Sequence, residues 1–548
     1  VQQSNANERI IPQPRGKGLG GSTLLNYLYT SRPSKYECNA LESFFGNKGW
    51  NWETLLQSMK KSEDSCFTNS HIHARMAMDL SYHGLGGPIK KSLPISTPEL
   101  EDLTMWFFDT AEELGVRKNH DPFNGDNIGS SVPYSTIDPN TATRSSAASG
   151  YLEPILGRPN LMVLTGALVT KILLSHDGDN SLQQATGVEF CYCNSNISIN
   201  NVKRDVILSA GSFKTPQILE LSGIGNPEIL KQNGIESLVN SPGVGENLQD
   251  HVAVPMIFEI DGRYTTVDIF HEPEEFKKHH ELYLNEKKGM LVKTPSQAFL
   301  FLPAHHVVDG NHNHKSWSST RTSEALTILS KASTPLPVKS GIEKQYELQK
   351  QWFLDPNIAE VEIIEHRGHL PVSPQYTPVK GKRYVSLTTV LMHPLSRGTV
   401  HISSSDPLSS PNIDPKLLDC DSDLELLLRG MEWTLKLCRT SPFKDAVRGM
   451  EFPKPDNALD TMDPAKLKEK LEAHARRWCR TVFHPVGTAA MTKRKDGGVV
   501  DEQLRVYGTN NLRVVDLSIL PIAFSCHTMS LAYAIAEQVR SSILHERG

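Results

Sequence analysis

The chain contains no long apolar run, little excess of charge of either sign and few aromatic residues, which make up 7% of it. Nothing approaches the roughly 20 consecutive apolar residues that a membrane-spanning helix requires. Its 57 basic and 62 acidic residues leave a formal net charge of −5. That balance gives neither nucleic acid nor an anionic membrane an electrostatic reason to bind. Only eight cysteines occur (Cys38, Cys66, Cys191, Cys193, Cys420, Cys438, Cys479, Cys526), and none forms the paired CxxC spacing of a zinc site. Cys191 and Cys193 alternate in a strand-like run and are expected to pack on the same side. Histidines cluster at 71–73, 279–280, 305–306 and 312–314 in polar stretches that read as solvated loops. No metal is therefore expected. There is also no G-x-S-x-G nucleophile elbow, no internal repeat and no long low-complexity tract. The opening residues VQQSNANERIIPQPR carry no charged-then-apolar targeting pattern, and the closing HERG matches no retention or peroxisomal signal. No compartment is assigned. A lone glycosylation triplet, Asn196-Ile197-Ser198, decides nothing.

What is present is enough chain for two or more hydrophobic cores, since 548 residues exceed what one core supports. The most informative stretch lies near the C-terminus, from His484 to Ala536. It reads FHPVGTAAM, then NLRVVDLSILP, then SCHTMSLAYAIAEQ. His484 is followed by Pro485 and Gly487, which end regular structure. Val514 and Val515 suggest a short buried strand closed by Pro521. His527 immediately precedes a helical pattern, with Thr528 as N-cap and Leu531, Ala534, Ile535 and Val539 on one face. Two histidines at the edges of elements suit proton transfer, but either alone is as consistent with ordinary core or surface.

Near the other end, PRGKGLGGSTLLNYLYT places Gly16, Gly18 and Gly21 in a G-x-G-x-x-G pattern, with Ser22 capping a helix predicted over Thr23 to Thr30. The pattern lacks the buried strand that a dinucleotide fingerprint needs before it. Glycine turns ahead of a helix start can still receive a diphosphate. Asn51 is predicted to cap a helix in NWETLLQSMKKSED. Residues 66–96 read as irregular, and a helix is predicted from the N-cap Thr97 to Gly115. Three β-rich runs follow: NLMVLTGALVTKILL, ATGVEFCYC and VKRDVILSAGSF. The last enters a helix predicted to start with Thr215 as cap and Pro216 in its first turn. SPGVGENLQDH, at 241–251, is a glycine-punctuated loop. Strand patterns recur in VAVPMIFEI and RYVSLTTVLMHPLSRGTVHISS, whereas 271–350 is weakly patterned. Ser422 and Glu425 form a capping-box signature for a helix ending near Cys438.

PRGKGLGGSTLLNYLYT, GSFKTPQILELSGIG, HPVGTAAM and VVDLSILP with CHTMSLAYA occur in the order seen in the glucose–methanol–choline (GMC) family of FAD-dependent oxidoreductases, which the chain resembles over nearly its whole length. Aryl-alcohol oxidases and glucose oxidases are the members it is most similar to. The resemblance implies an α/β fold in which a Rossmann-like FAD-binding domain (1–50, 147–251 and 481–548) accompanies an α+β substrate domain on an antiparallel sheet (51–146 and 252–480). It implies oxidation of an aryl or aliphatic alcohol or a sugar by hydride transfer to flavin, with oxygen or another acceptor as electron partner and neither nucleic acid nor a membrane span. In its terms His484 is the general base and His527 the partner of the alcohol oxygen. Gly21, Ser22, Asn26, Tyr27, Val169, Asp516, Thr528 and Met529 contact FAD, and Tyr27 and Phe483 narrow substrate access. Leu25 stands where some relatives carry the histidine that bonds FAD, so non-covalent FAD is implied. The family's first strand, glycine turn, helix and second strand do not precede Val1. A truncated chain with weakened FAD binding is therefore expected. Hydroxynitrile lyase-type and non-catalytic relatives are the alternative readings.

Overall fold

In a computed structural model, residues 1–66, 79–93, 98–176, 182–292, 294, 296–308, 314–374, 376–453 and 463–545 are described. Two hydrophobic cores organise the chain. The larger lies on a seven-stranded sheet, in the order Val447–Phe452, Val252–Ile260, Arg383–Leu391, Val361–His366, Ser296–Leu302, Gly129–Ser131, with Arg480–Thr481 added beside Val252–Ile260. All its pairings are antiparallel, and Val252 to Ile260 run opposite Leu391 to Arg383 without a slip. VAVPMIFEI is apolar almost throughout because the strand is covered on both faces. The helix Asp421–Cys438 lies on this sheet, burying Leu424, Leu427, Leu428, Met431, Leu435 and Cys438 as its periodicity predicts. Gly430 permits the approach: a Cβ there would stand 2.7 Å from Thr389 and 2.9 Å from Val361.

The predicted capping box is not formed. The helix begins at Asp421 with Cys420 as its N-cap and no side-chain cap. Ser422 donates its hydroxyl to Glu324, and Glu425 pairs with Arg321. Both partners lie on the helix His314–Lys331, so tertiary contacts outcompete the local cap. That helix also corrects the reading of 271–350 as weakly patterned, since Pro273–Glu286, His314–Lys331 and Leu336–Trp352 are all helical. Their polar, histidine-rich composition hid them.

The second core gathers Leu41, Trp50, Leu55 and Met59 near one terminus with Leu512, Val514, Leu531, Ile535 and Val539 near the other. Its centre is a parallel pair, Val206–Leu208 against Leu512–Val514. The pair leads into the helix Gly211–Leu221, which starts earlier than predicted, with Pro216 inside it. Ser212 O, the carbonyl that an N–H at 216 would reach, accepts the Thr488 hydroxyl at 2.7 Å. That bond makes the proline tolerable. Thr215 is not a cap either; its hydroxyl donates to Asp516 at 2.6 Å.

An antiparallel meander of Leu168–His176, Gln183–Tyr192 and Ser195–Asn200 flanks this core. Cys193 and Asn194 form its last turn with φ of 48° and 58°. The two-residue turn takes Cys193 out of the strand, so Cys191 and Cys193 do not share a face. The predicted helices at Asn51 and Met529 are present as Trp52–Ser62 and Met529–His545. The predicted run Thr23 to Thr30 is not a helix. A single 3-10 turn, Gly21–Leu24, gives way to Leu28 at φ 72° and a strand at Tyr29–Thr30. Within 66–96, Ile89–Ser92 is a strand parallel to Glu63–Cys66. The predicted cap Thr97 and the histidines of 71–73 and 312 lie outside the described residues. Among the described residues no helix is long and apolar enough to cross a membrane.

Candidate active site

The two histidines singled out from the sequence come together where the cores meet. Their ring centroids are 5.0 Å apart and their planes 73° to one another. His527 ends the irregular segment before the helix Met529–His545, whose first turn brings the positive end of the helix dipole to the same place. The backbone N–H of His527 donates to Ser31 Oγ at 2.8 Å. Two residues earlier, Ser525 donates its N–H and hydroxyl to the buried Glu37 at 2.6 and 2.7 Å. Glu37 also takes the Nε2–H of His393 at 2.7 Å. Burial works against charge on His393, but Glu360 and Glu37 outweigh it and push its pKa up to about 9.

The imidazole of His527 is clamped by the large sheet. Its Nε2 donates to Glu362 at 2.9 Å, and Phe299 stacks on it at 4.8 Å between centroids and 5° between planes. Tyr29 closes on both rings edge-on. Nδ1 of His527 has no hydrogen-bond partner among the described residues.

His484 is held by an irregular antiparallel pairing. Val252 opposes Thr481, and Gln249 opposes Val486, so the second segment carries two extra residues over that span. The surplus bulges at Phe483, whose φ is 67°. A bulky residue in that region stores strain on the order of 1–2 kcal/mol. Anchors hold it there: Phe483 N donates to Thr481 Oγ1 at 2.7 Å, and Arg15 donates to Phe483 O at 2.9 Å. His484 N donates to Asp250 Oδ1 at 2.9 Å, and the Thr481 hydroxyl donates to the other oxygen. Burial pushes the Asp250 carboxyl up to about 6 despite these donors.

The ring of His484 meets the ring of His251, with the two Nδ1 atoms 3.0 Å apart. Burial first, then the neighbouring His527, His251 and Arg15, push the pKa of His484 well below its ordinary value. His484 keeps partial exposure. The ring is neutral at neutral pH, the form that accepts a proton.

Of the expected cofactor residues, Asn26 and Met529 meet. Asn26 donates Nδ2 to Met529 Sδ at 3.1 Å, and Arg144 donates to Asn26 Oδ1 at 2.5 Å. Gly21 has φ 55°, and a Cβ there would point into open space. The turn leaves Leu24, Leu25 and Tyr27 exposed beside it, Tyr27 by 66%. Val169, 37% exposed, also presents an apolar side chain. An open glycine cradle, polar Ser22 and Asn26, a helix start at Thr528 and Met529 and exposed apolar side chains fit a flat aromatic cofactor with a phosphate chain. Asp516 has a different task. Its Oδ2 accepts from Gly211 N at 2.9 Å and from Thr215, and its Oδ1 from Ser518 N at 2.8 Å, committing both oxygens to the fold.

The sequence reading missed His251, Asp250, Glu362 and Phe299. A signal existed for Glu362: an acid within the apolar run VEIIEH must have a partner if buried, and it is 1% exposed. For His251 the only signal is its place at the edge of VAVPMIFEI.

Comparison with known proteins places the site in context. Residues 2–253 and 394–536 match the N- and C-terminal family models described as GMC oxidoreductase. The match to the N-terminal model begins at residue 2. The chain is 35% identical over 558 residues to the GMC oxidoreductase family protein Mala s 12 of Malassezia sympodialis, covering 99% of this chain and 81% of that one. An FAD-dependent oxidoreductase from Chaetomium thermophilum superposes with a TM-score of 0.88 at 25% identity, covering 100% of this chain and 89% of its own. A fungal aryl-alcohol oxidase does so with a TM-score of 0.86 at 26% identity, covering 100% and 88%.

Proposed function

This chain belongs to the GMC oxidoreductase family, and on that premise we propose that it oxidises an alcohol at the His484–His527 pair, with FAD held non-covalently and an aryl alcohol as substrate. The carrying observation is two imidazoles from separate segments, 5.0 Å apart, each with a ring nitrogen that no described residue engages. The residues suited to hold FAD are Gly21, Ser22, Asn26, Val169, Thr528 and Met529, with Leu25 offering no nucleophile for a covalent bond. Asp516 supports that site through the strand–turn–helix it pins. Bound there, FAD supplies the acceptor for the hydrogen and two electrons that leave the carbinol carbon.

The protein's own part is proton transfer and orientation. His484, neutral because of its surroundings, accepts the hydroxyl proton at Nε2. His527, its Nε2 fixed on Glu362, turns Nδ1 to the alcohol oxygen as its hydrogen-bond partner. Glu362 and Phe299 hold that ring still, so little reorganisation accompanies the reaction. Tyr27 and Phe483 narrow the approach and favour a flat aromatic carrier, which is the argument for an aryl alcohol over a sugar. Oxygen or another acceptor is the second substrate.

Anaerobic addition of benzyl alcohol to the FAD-loaded protein is expected to bleach the flavin absorbance, with glucose slower. Bleaching by neither, the behaviour of a lyase-type or non-catalytic relative, overturns the reading. His484→Ala should slow bleaching by about 10²–10⁴-fold. A rate within about tenfold of the parent removes His484 from the role of base.

A further inference from the structure

His251 does nothing in the scheme above, yet it is one of the most confined groups in the molecule. Its side chain is buried, 1% exposed, and its ring meets His484 edge to face, centroids 5.1 Å apart. The contact is a nitrogen–nitrogen hydrogen bond, 3.0 Å between the two Nδ1 atoms, so one ring must donate and the other accept. Which one donates decides whether His484 can act as a base. If His251 donates, the single proton of a neutral His484 sits on Nε2, and the nitrogen left for substrate has no lone pair. If His484 donates, its Nε2 is a free acceptor.

The surroundings of His251 favour one direction. Burial, reinforced by the neighbouring His393 and His527, pushes its pKa down to about 3, so it is neutral and carries one N–H. The backbone carbonyls of Phe524 and Met392 lie near its ring and favour an N–H there. A carbonyl oxygen can only accept. An N–H turned to those carbonyls leaves the Nδ1 of His251 with a lone pair toward His484.

We propose that His251 is a positioning residue that selects the tautomer of His484, accepting the Nδ1–H of that ring and leaving its Nε2 as the free acceptor that faces substrate. The same chain geometry enforces the pairing. Val482 N donates to His251 O at 3.2 Å, and His484 N is tied to Asp250, the residue before His251. Backbone bonds therefore fix the two rings relative to one another, and the bulge at Phe483 turns His484 toward its partner. A fixed tautomer set by the hydrogen bond at the other ring nitrogen is how an imidazole is committed to one role. Nothing moves through His251 during the reaction. This inference rests on the reading of His484 as the base, and its test separates the two.

The full chain is labelled with ¹⁵N-histidine, and the ring nitrogens of His484 are identified by their loss in His484→Ala. Wild-type His484 is expected as the Nδ1–H tautomer. His251→Phe, which keeps a ring and removes the acceptor, is expected to shift it toward Nε2–H. His251→Gln, whose side-chain oxygen can accept while its amide donates to the Phe524 carbonyl, is expected to keep it. Alongside, flavin bleaching by benzyl alcohol, per bound flavin, should fall by about tenfold or more in His251→Phe and recover to within about threefold in His251→Gln. A merely structural role predicts lost FAD content and melting temperature with an unchanged rate per flavin, and that result overturns the proposal. So does an Nε2–H tautomer in the wild type, or one that His251→Phe leaves unchanged. If the tautomer behaves as expected but His484→Ala keeps its rate, the general-base reading fails while the tautomer assignment stands.

Discussion

Glu362 and His527 join the two cores of this oxidoreductase: a carboxylate on the strand Val361–His366 takes the Nε2–H of an imidazole at the head of the C-terminal helix, 2.9 Å away. Each group explains the other. A carboxylate 1% exposed needs a donor, and a ring that must present one nitrogen to substrate needs its other nitrogen fixed.

Glu362→Gln keeps the length of that side chain and removes its charge. Flavin reduction per bound flavin is expected to fall by about tenfold or more, because the ring of His527 loses the carboxylate that fixes its Nε2. Stopped-flow absorbance measures this. A rate equal to the parent's would show that Phe299 stacking alone holds His527 in its working state.

Stability should peak near neutrality. Against the opposing effect of burial, Glu360 and Glu37 push His393 up to about 9, and Glu220 and Glu246 do the same for His401. A histidine with a raised folded pKa contributes stability that is complete below about 6.5 and is lost as pH rises through about 9. Burial instead holds His251 down at about 3 and His366 and His474 at about 4. Their contribution is complete above about 6.5 and is lost as pH falls toward those values. Melting temperature measured from acid to alkaline pH should therefore fall on both sides, and His401→Asn should flatten the alkaline side. An alkaline arm of unchanged slope in that variant would exclude His401 from it.

Asp516→Ala removes the acceptor for Gly211 N, Thr215 Oγ1 and Ser518 N together. The expected loss is about 2–3 kcal/mol, from hydrogen bonds to a charged acceptor. Urea unfolding checks it. FAD content should fall in the same variant, since the strand–turn–helix it pins belongs to the expected cofactor site.

Acid precipitation should release all the flavin into the supernatant, because Leu25 offers nothing that could bond to it. Flavin retained in the pellet would contradict non-covalent attachment and point to a nucleophile elsewhere in the site.

Long, strongly periodic elements were legible without a structure. The helix Asp421–Cys438, the helix Met529–His545 and the strand Val252–Ile260 each bury the residues their patterns predict, because one-sided or complete burial imposes a repeat on the sequence. Their ends were less legible. Ser422, Glu425, Thr215 and Ser22 all looked like local caps. The first three bind residues distant in the chain, and Ser22 lies inside a short 3-10 turn, its hydroxyl accepting from Gly16 N at 3.2 Å. A cap signature records which local bonds are possible, and a charged, half-buried partner brought close in three dimensions can outcompete them.

By itself the sequence determined the family-level motifs, their order, and the two histidines at element edges, since these depend on residue type and short spacing. Tertiary structure alone decided what those histidines can do. The Nδ1 of His484 meets His251, 233 positions away in the chain, and the Nε2 of His527 meets Glu362, 165 positions away. The first depends on a two-residue bulge at Phe483, the second on the large-sheet strand that carries Glu362. Hydrogen-bond direction and burial set the protonation of an imidazole, and both are properties of the folded surroundings rather than of any local run of residues.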